Sequence, residues 1–260
     1  MPPNSVQRFF SSRLTRPGYR FFSSASHFSG ESSTSKIFQD KFQKNLAPIL
    51  SHPFNRLMYR GALGRKRFKD YISIDAVYLV NYGRLMQKLA FHPEFYGNPC
   101  GQELTNIALG VIKAESNMQK RYMNMIQCDD PGWIPSVMKE YINHISLCVK
   151  KESRPGVSLA SLIPCFWVYR CLGQKYPVSG INASHPYYQW LRTYSSQHFL
   201  QAERTLWNIL DNQDFTENEL NKAFSVFEIS ILYEENFFNR VMNMELTPKL
   251  FPHPIPDCSF

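Results

Sequence analysis

The sequence predicts an all-α fold, a single-domain bundle of seven or eight helices. Three observations in the residues point to the helical class. Apolar residues recur at spacings of three and four almost everywhere from Ser35 onward. No apolar/polar alternation of the kind that marks a strand occurs. Glycine, proline and capping residues fall between the periodic stretches, where helix ends belong. A chain of 260 residues has room for one large domain with a substantial core, and no break in composition divides it.

Taken in order, Ile37, Phe38, Phe42, Leu46, Ile49 and Leu50 predict a first helix, interrupted near Pro48. A short second helix follows His52, Pro53 and Phe54 and stops around Gly61, a glycine suited to a helix C-terminus. The third, from about 66 to 91, carries Phe68, Tyr71, Ile72, Asp75, Tyr78, Leu79, Tyr82, Leu85, Met86 and Leu89 on one face. A fourth spans about 102 to 127, and Asp129, Asp130, Pro131 and Gly132 predict a turn. Helices five and six are expected over 135–151 and 157–176, followed by a loop at 177–180. A long seventh runs from about 185 to 211. Thr216 with Glu219 has the pattern of a capping box and opens the eighth, which continues to about Met244. The proline-rich tail from Thr247 is expected to be irregular.

Residues 1–34 differ from the rest. Arg8, Arg13, Arg16 and Arg20 precede the first acid, Glu31, and supply half of the net charge of +8. An arginine- and serine-rich, acid-poor stretch is the composition of a mitochondrial transit peptide, with Arg20 to Ser24 resembling a processing site; an untargeted, cytoplasmic chain with a disordered leader is the alternative. The domain itself, 35–260, is only mildly basic. Its one dense group, Arg65, Lys66, Arg67 and Lys69, fits a solvated helix start better than a nucleic-acid surface. No uncharged run reaches the eighteen or so residues of a membrane span, so neither nucleic acid nor membrane is expected as a partner. The six cysteines form no C-x-x-C pair and are too sparse for a disulfide framework, which suggests reduced thiols.

Three reactive groups lie where an apolar face is expected. Asp75 shares a face with Tyr71, Tyr78 and Tyr82; Glu234 shares one with Ile231, Phe237 and Phe238; Cys165 is embedded in Leu162 to Gly173. Each carboxylate costs several kcal/mol if buried without a partner. A carboxylate beside a thiol acts as its base, and a second one holds a heterocycle, so a pocket with both has catalytic potential. Glu-x-x-His, the helical di-metal signature, is absent, and no phosphate-binding glycine loop or G-x-S-x-G occurs. His52, His92 and His144 leave a haem ligand open, with nothing to single one out.

Several blocks together resemble the TenA family, also called thiaminase II or aminopyrimidine aminohydrolase, over about Phe38 to Met242. They are His52, Pro53, Phe54 with Gly61, Phe68 and Tyr71; Asp75 with Tyr78; Tyr141 in its Tyr-Ile-Asn-His context; Pro164 to Tyr169 with Gly173; Trp190 to Tyr194; and Tyr233, Glu234, Phe237 and Phe238. The resemblance implies a haem-oxygenase-like helical bundle, tetrameric in the family, that uses no cofactor, metal or haem. It implies a hydrolase of the thiamin pyrimidine moiety, serving thiamin salvage, in the family branch that uses a cysteine. Aminomethyl-aminopyrimidine, and more slowly thiamin, would be converted to hydroxymethylpyrimidine. In this resemblance Cys165 is the nucleophile, Glu234 takes its proton and assists the leaving group, Asp75 holds the ring nitrogen and amino edge, and Tyr78, Tyr141 and Tyr194 line or stack on the ring. Phe238 replaces the usual tryptophan and is expected to reshape one pocket wall. The loop 174–189 is longer than usual, and Asp129 to Ile134 replaces a typical acidic linker. A non-catalytic protein that binds such pyrimidines, or a partner, is the alternative of a different class.

Overall fold

A computed structural model describes residues 32–126, 135–152 and 154–244. The leader, the turn at Asp129 to Gly132, the linker to Ile134 and the tail from Thr247 lie outside the described residues. Among those described there is no strand. The helices are α1 (Thr34–Phe42), α2 (Leu46–Leu50), α3 (Pro53–Tyr59), α4 (Arg65–Ala90), α5 (Pro99–Ile126), α6 (Ser136–Lys151), α7 (Pro155–Lys175), α8 (Tyr188–Tyr194), α9 (Gln197–Asp211) and α10 (Glu217–Val241). Counting α1 with α2 and α8 with α9 as interrupted helices gives eight.

Two boundaries differ from expectation, each for a local reason. The first interruption is a 3-10 turn at Gln43–Asn45, upstream of Pro48. Pro48 is the third residue of α2, a position whose N–H has no partner within that helix, so the ring is tolerated there. The seventh helix, expected to run unbroken to 211, divides at Ser195 and Ser196. Ser196 accepts a hydrogen bond from the Phe199 N–H and caps α9. The break is packed closely against α7: a Cβ at Gly173 would lie 2.3 Å from the carbonyl oxygen of Tyr194. The capping box forms as expected, with Thr216 and Glu219 each satisfying the other's backbone N–H.

At the other end of the bundle, His52 accepts from the Phe54 N–H ahead of Pro53 and opens α3. Gly61 follows this helix at φ +70°, a conformation that disfavours any residue with a Cβ. The long 174–189 loop straps this corner. Tyr176 donates to the Leu50 carbonyl at 2.8 Å, Tyr187 donates to the Leu63 carbonyl, and His185 contacts the Tyr59 carbonyl at 3.0 Å.

Helix α7 is the centre of the bundle, packing against α2, α4, α6, α8, α9 and α10. By length and composition it is apolar enough to cross a membrane, yet 89% of the relevant window is buried within the protein. A helix apolar all round belongs in a core, and Pro155 to Tyr169 carries no charge to oppose it. Pro164 has no N–H to offer the Ala160 carbonyl, so the ladder is interrupted one residue before Cys165. Beside this interruption two carbonyls take side-chain donors from other helices: Ser230 bonds the Ser161 carbonyl and Tyr82 the Leu162 carbonyl, both at 2.8 Å.

Candidate active site

Cys165 opens onto a cavity at the junction of five helices. Its lining is Asp75 and Leu79 from α4, Val111 from α5, Cys165, Phe166 and Tyr169 from α7, Tyr194 from α8 and Phe199 from α9. The free space is narrow, enough for about one water molecule, because aromatic rings close in from α7, α8 and α9. Tyr169 lies 4.6 Å from Tyr194, and Tyr194 meets Phe199 edge-on at 5.0 Å.

A second, drier layer stands behind the thiol. Glu234 on α10 is 1% exposed and lies close enough to Cys165 for the thiol to affect its titration. Tyr141 on α6 donates to Glu234 Oε1 at 2.9 Å. Tyr78 stacks on Tyr141 at 4.9 Å, and its buried hydroxyl approaches that of Tyr141 without the geometry of a hydrogen bond. The proposed residues therefore separate into two groups. Asp75, Cys165 and Tyr194 line the cavity, whereas Glu234, Tyr141 and Tyr78 lie outside the lining and surround the thiol from the core side.

Burial sets the electrostatics of this layer. Glu234 is pushed up to about 8, first by removal from water and further by the negative charge of Asp75; the hydrogen bond from Tyr141 and the nearby Cys165 thiol pull the other way. Tyr78 and Tyr141 are raised well above the usual tyrosine range, again mainly by burial, with Cys165 and Glu234 adding to it. Tyr169 is raised by burial and by Tyr71, Glu234 and Asp75. A carboxyl that is half-ionised near 8 and lies beside a thiol is suited to receive a proton and return it near neutral pH.

Other titratable groups have structural partners. Glu203, buried to 3% exposure, receives hydrogen bonds from Trp207 at 2.6 Å and Arg170 at 3.3 Å. Burial pushes Cys148 up to about 12 and Cys171 up to about 11, values of inert thiols. His52 is engaged with Phe54 and Asn239, His92 with the Glu94 N–H, and His144 with Val226 and Ser230.

Five lining residues were not singled out from sequence: Leu79, Val111, Phe166, Tyr169 and Phe199. Tyr169 carried a usable signal, since it follows Cys165 by four residues and so shares its face of α7. The others required knowledge of which helices meet. Phe238 lies outside the lining, fully buried, with its ring 6.2 Å from Tyr169 and 5.2 Å from Phe54. Its ring reaches the lining at Tyr169 and also stacks on Tyr71, whose hydroxyl is bonded to that of Tyr169.

The model of the TENA/THI-4/PQQC family matches residues 40–244. Among curated relatives, the aminopyrimidine aminohydrolase of Bacillus subtilis is 26% identical over 202 residues, covering 75% of this chain and 83% of that protein. The thiamine biosynthesis multifunctional protein ThiED of Corynebacterium glutamicum is 26% identical over 200 residues; the match covers 75% of this chain and only 25% of that longer protein. Among solved structures, the TenA homologue from P. horikoshii OT3 superposes with a TM-score of 0.73 at 20% identity, over 82% of this chain and 99% of that one. The all-α architecture is therefore the haem-oxygenase-like fold of TenA homologues.

Proposed function

Because the chain belongs to the TENA/THI-4/PQQC family, we propose that it hydrolyses the pyrimidine moiety of thiamin. In this proposal aminomethyl-aminopyrimidine is the preferred substrate and thiamin a slower one, both yielding hydroxymethylpyrimidine, in the service of thiamin salvage. The observation that carries the proposal is a buried thiol that opens into a cavity beside Asp75 and has at its back a carboxyl, Glu234, half-ionised near 8. None of the eight lining residues is cationic, so the lining suits an unphosphorylated ring better than a phosphate ester.

The residues fall into consistent roles. The ring enters as the aromatic side chains that narrow the cavity turn aside; Asp75 then accepts hydrogen bonds from its amino edge and protonated nitrogen, and Tyr194 and Tyr169 pack against it. Ionised Glu234 takes the proton from Cys165, and the sulfur forms a bond to an electron-poor ring carbon. The C–N bond of the exocyclic methylene breaks, and the leaving amine takes the proton from Glu234. Water adds to the methylene and gives up a proton to Glu234. The carbon–sulfur bond then breaks and Cys165 regains its proton. The sum is amine plus water giving alcohol plus ammonia, with no change in oxidation state. Tyr141 holds the carboxyl in place throughout.

The test is product analysis with aminomethyl-aminopyrimidine and thiamin, using Cys165→Ala as control. Hydroxymethylpyrimidine formed by the wild type and lost in the variant is the expected result. Full activity in the variant would overturn the nucleophile assignment, and tight pyrimidine binding without turnover at any pH would instead mark a binding protein.

A further inference from the structure

A polar chain runs through the core one helical turn away from the thiol layer. His144 Nε2 lies 3.1 Å from the Val226 carbonyl and 3.2 Å from Ser230 Oγ. The carbonyl can only accept, so Nε2 carries the proton. Ser230 in turn donates its hydroxyl hydrogen to the Ser161 carbonyl at 2.8 Å, leaving its lone pair for His144. His144 and Ser230 are buried at 6% and 0% exposure, and Ser161 at 0%.

The register of these residues is the informative point. His144 is three residues after Tyr141 on α6, Ser230 four before Glu234 on α10, and Ser161 four before Cys165 on α7. Each lies about 4.5 to 6 Å along its helix from one member of the thiol layer. The same three helices thus meet twice, at Tyr141, Glu234 and Cys165 in one plane and at His144, Ser230 and the Ser161 carbonyl in the next. A ring column links the planes: Tyr78 on Tyr141 at 4.9 Å, Tyr141 on Tyr233 at 5.1 Å, and Tyr233 on His144 at 5.8 Å. The second plane reaches α7 beside the interruption at Pro164, where the helix has one ladder bond fewer to hold it.

We propose that His144 and Ser230 are positioning residues, which fix α6, α7 and α10 so that Cys165, Glu234 and Tyr141 keep their relative positions. The proposal rests on the reading of Cys165 as nucleophile. Neither residue lines the cavity, so they act on the reacting groups and not on the substrate.

The test compares Ser230→Ala, His144→Phe and His144→Gln in the full chain, each checked for helicity and a cooperative melt. Ser230→Ala is the smaller change and decides the matter if His144→Phe does not fold. With aminomethyl-aminopyrimidine, kcat is expected to fall about ten-fold in Ser230→Ala and His144→Phe, because small misplacements of reacting groups are costly. KM should stay within about two-fold. His144→Gln, whose amide can donate from the Nε2 position, should recover most of the loss. A second readout is the rate of iodoacetamide alkylation of Cys165 at pH 8, followed on its peptide by mass; it should change in the first two variants and return in the third. Unchanged kcat and alkylation rate in folded Ser230→Ala overturn the proposal, as does an equal loss in His144→Gln and His144→Phe. If the wild type hydrolyses neither pyrimidine, the proposed function fails, and the alkylation arm alone decides whether the tie positions Cys165.

Discussion

The hydroxyl of Tyr141 donates to Oε1 of Glu234 across 2.9 Å, joining α6 to α10 directly behind the Cys165 thiol. This bond favours the ionised carboxyl, whereas burial and Asp75 favour the protonated one. The balance leaves a group that titrates close to the pH at which it is needed.

If ionised Glu234 must accept the thiol proton, kcat/KM rises with pH with a midpoint near 8. Two variants should move that midpoint in opposite directions. Tyr141→Phe removes a bond that stabilises the charge and should shift it upward. Asp75→Asn removes a repelling charge and should shift it downward, while also weakening substrate binding by about ten-fold through the lost charged acceptor. Profiles of kcat/KM against pH for the three proteins check this, and shifts of the same sign would refute the assignment.

Stability should carry the same titration. The Glu234 carboxyl ionises near 4.5 in the unfolded chain and near 8 when folded. Between these values the folded protein holds a proton that the unfolded chain has released, so stability falls as pH rises and the full penalty is present above 8. A displacement of this size corresponds to roughly 5 kcal/mol. Glu234→Gln keeps the shape and cannot ionise. It is expected to melt several degrees above the wild type at pH 9 and to match it near pH 4, as thermal denaturation at both pH values would reveal.

The thiols should differ sharply. Cys165→Ala is expected to lose activity by at least about a hundred-fold, while Cys171→Ala, whose thiol is held up to about 11 by burial, should retain it. Steady-state rates of the two variants side by side make the comparison, and equal losses would point to a packing effect.

Gly173→Ala tests how closely α7 meets the break between α8 and α9. The added methyl would lie 2.3 Å from the Tyr194 carbonyl oxygen, so backbone must move. A loss of about 2 to 4 kcal/mol is expected in denaturant unfolding, with a raised KM because Tyr194 lines the cavity. An unchanged melt would show that the two segments separate at little cost.

Much of this was legible in the residues. The period of three and four gave the helical class, and the Thr216 and Glu219 pair marked the start of α10. Asp75 and Glu234 stood out because a carboxylate on an apolar helix face is costly without a purpose. The Ser195 and Ser196 break escaped because the apolar period continues through it; Ser196 caps α9 there, and the break packs closely against Gly173 on another helix.

By itself, then, the sequence determined that the chain is a helical bundle with a thiol and two carboxylates turned inward, since periodicity states which way a side chain points within its own helix. Only the tertiary structure decided that Asp75, Cys165 and Tyr194 line the cavity, that Glu234, Tyr141 and Tyr78 stand behind the thiol, and that His144 and Ser230 tie the same helices one turn away. The distance between groups on different helices depends on how those helices cross and slide. No local pattern within one helix contains that information.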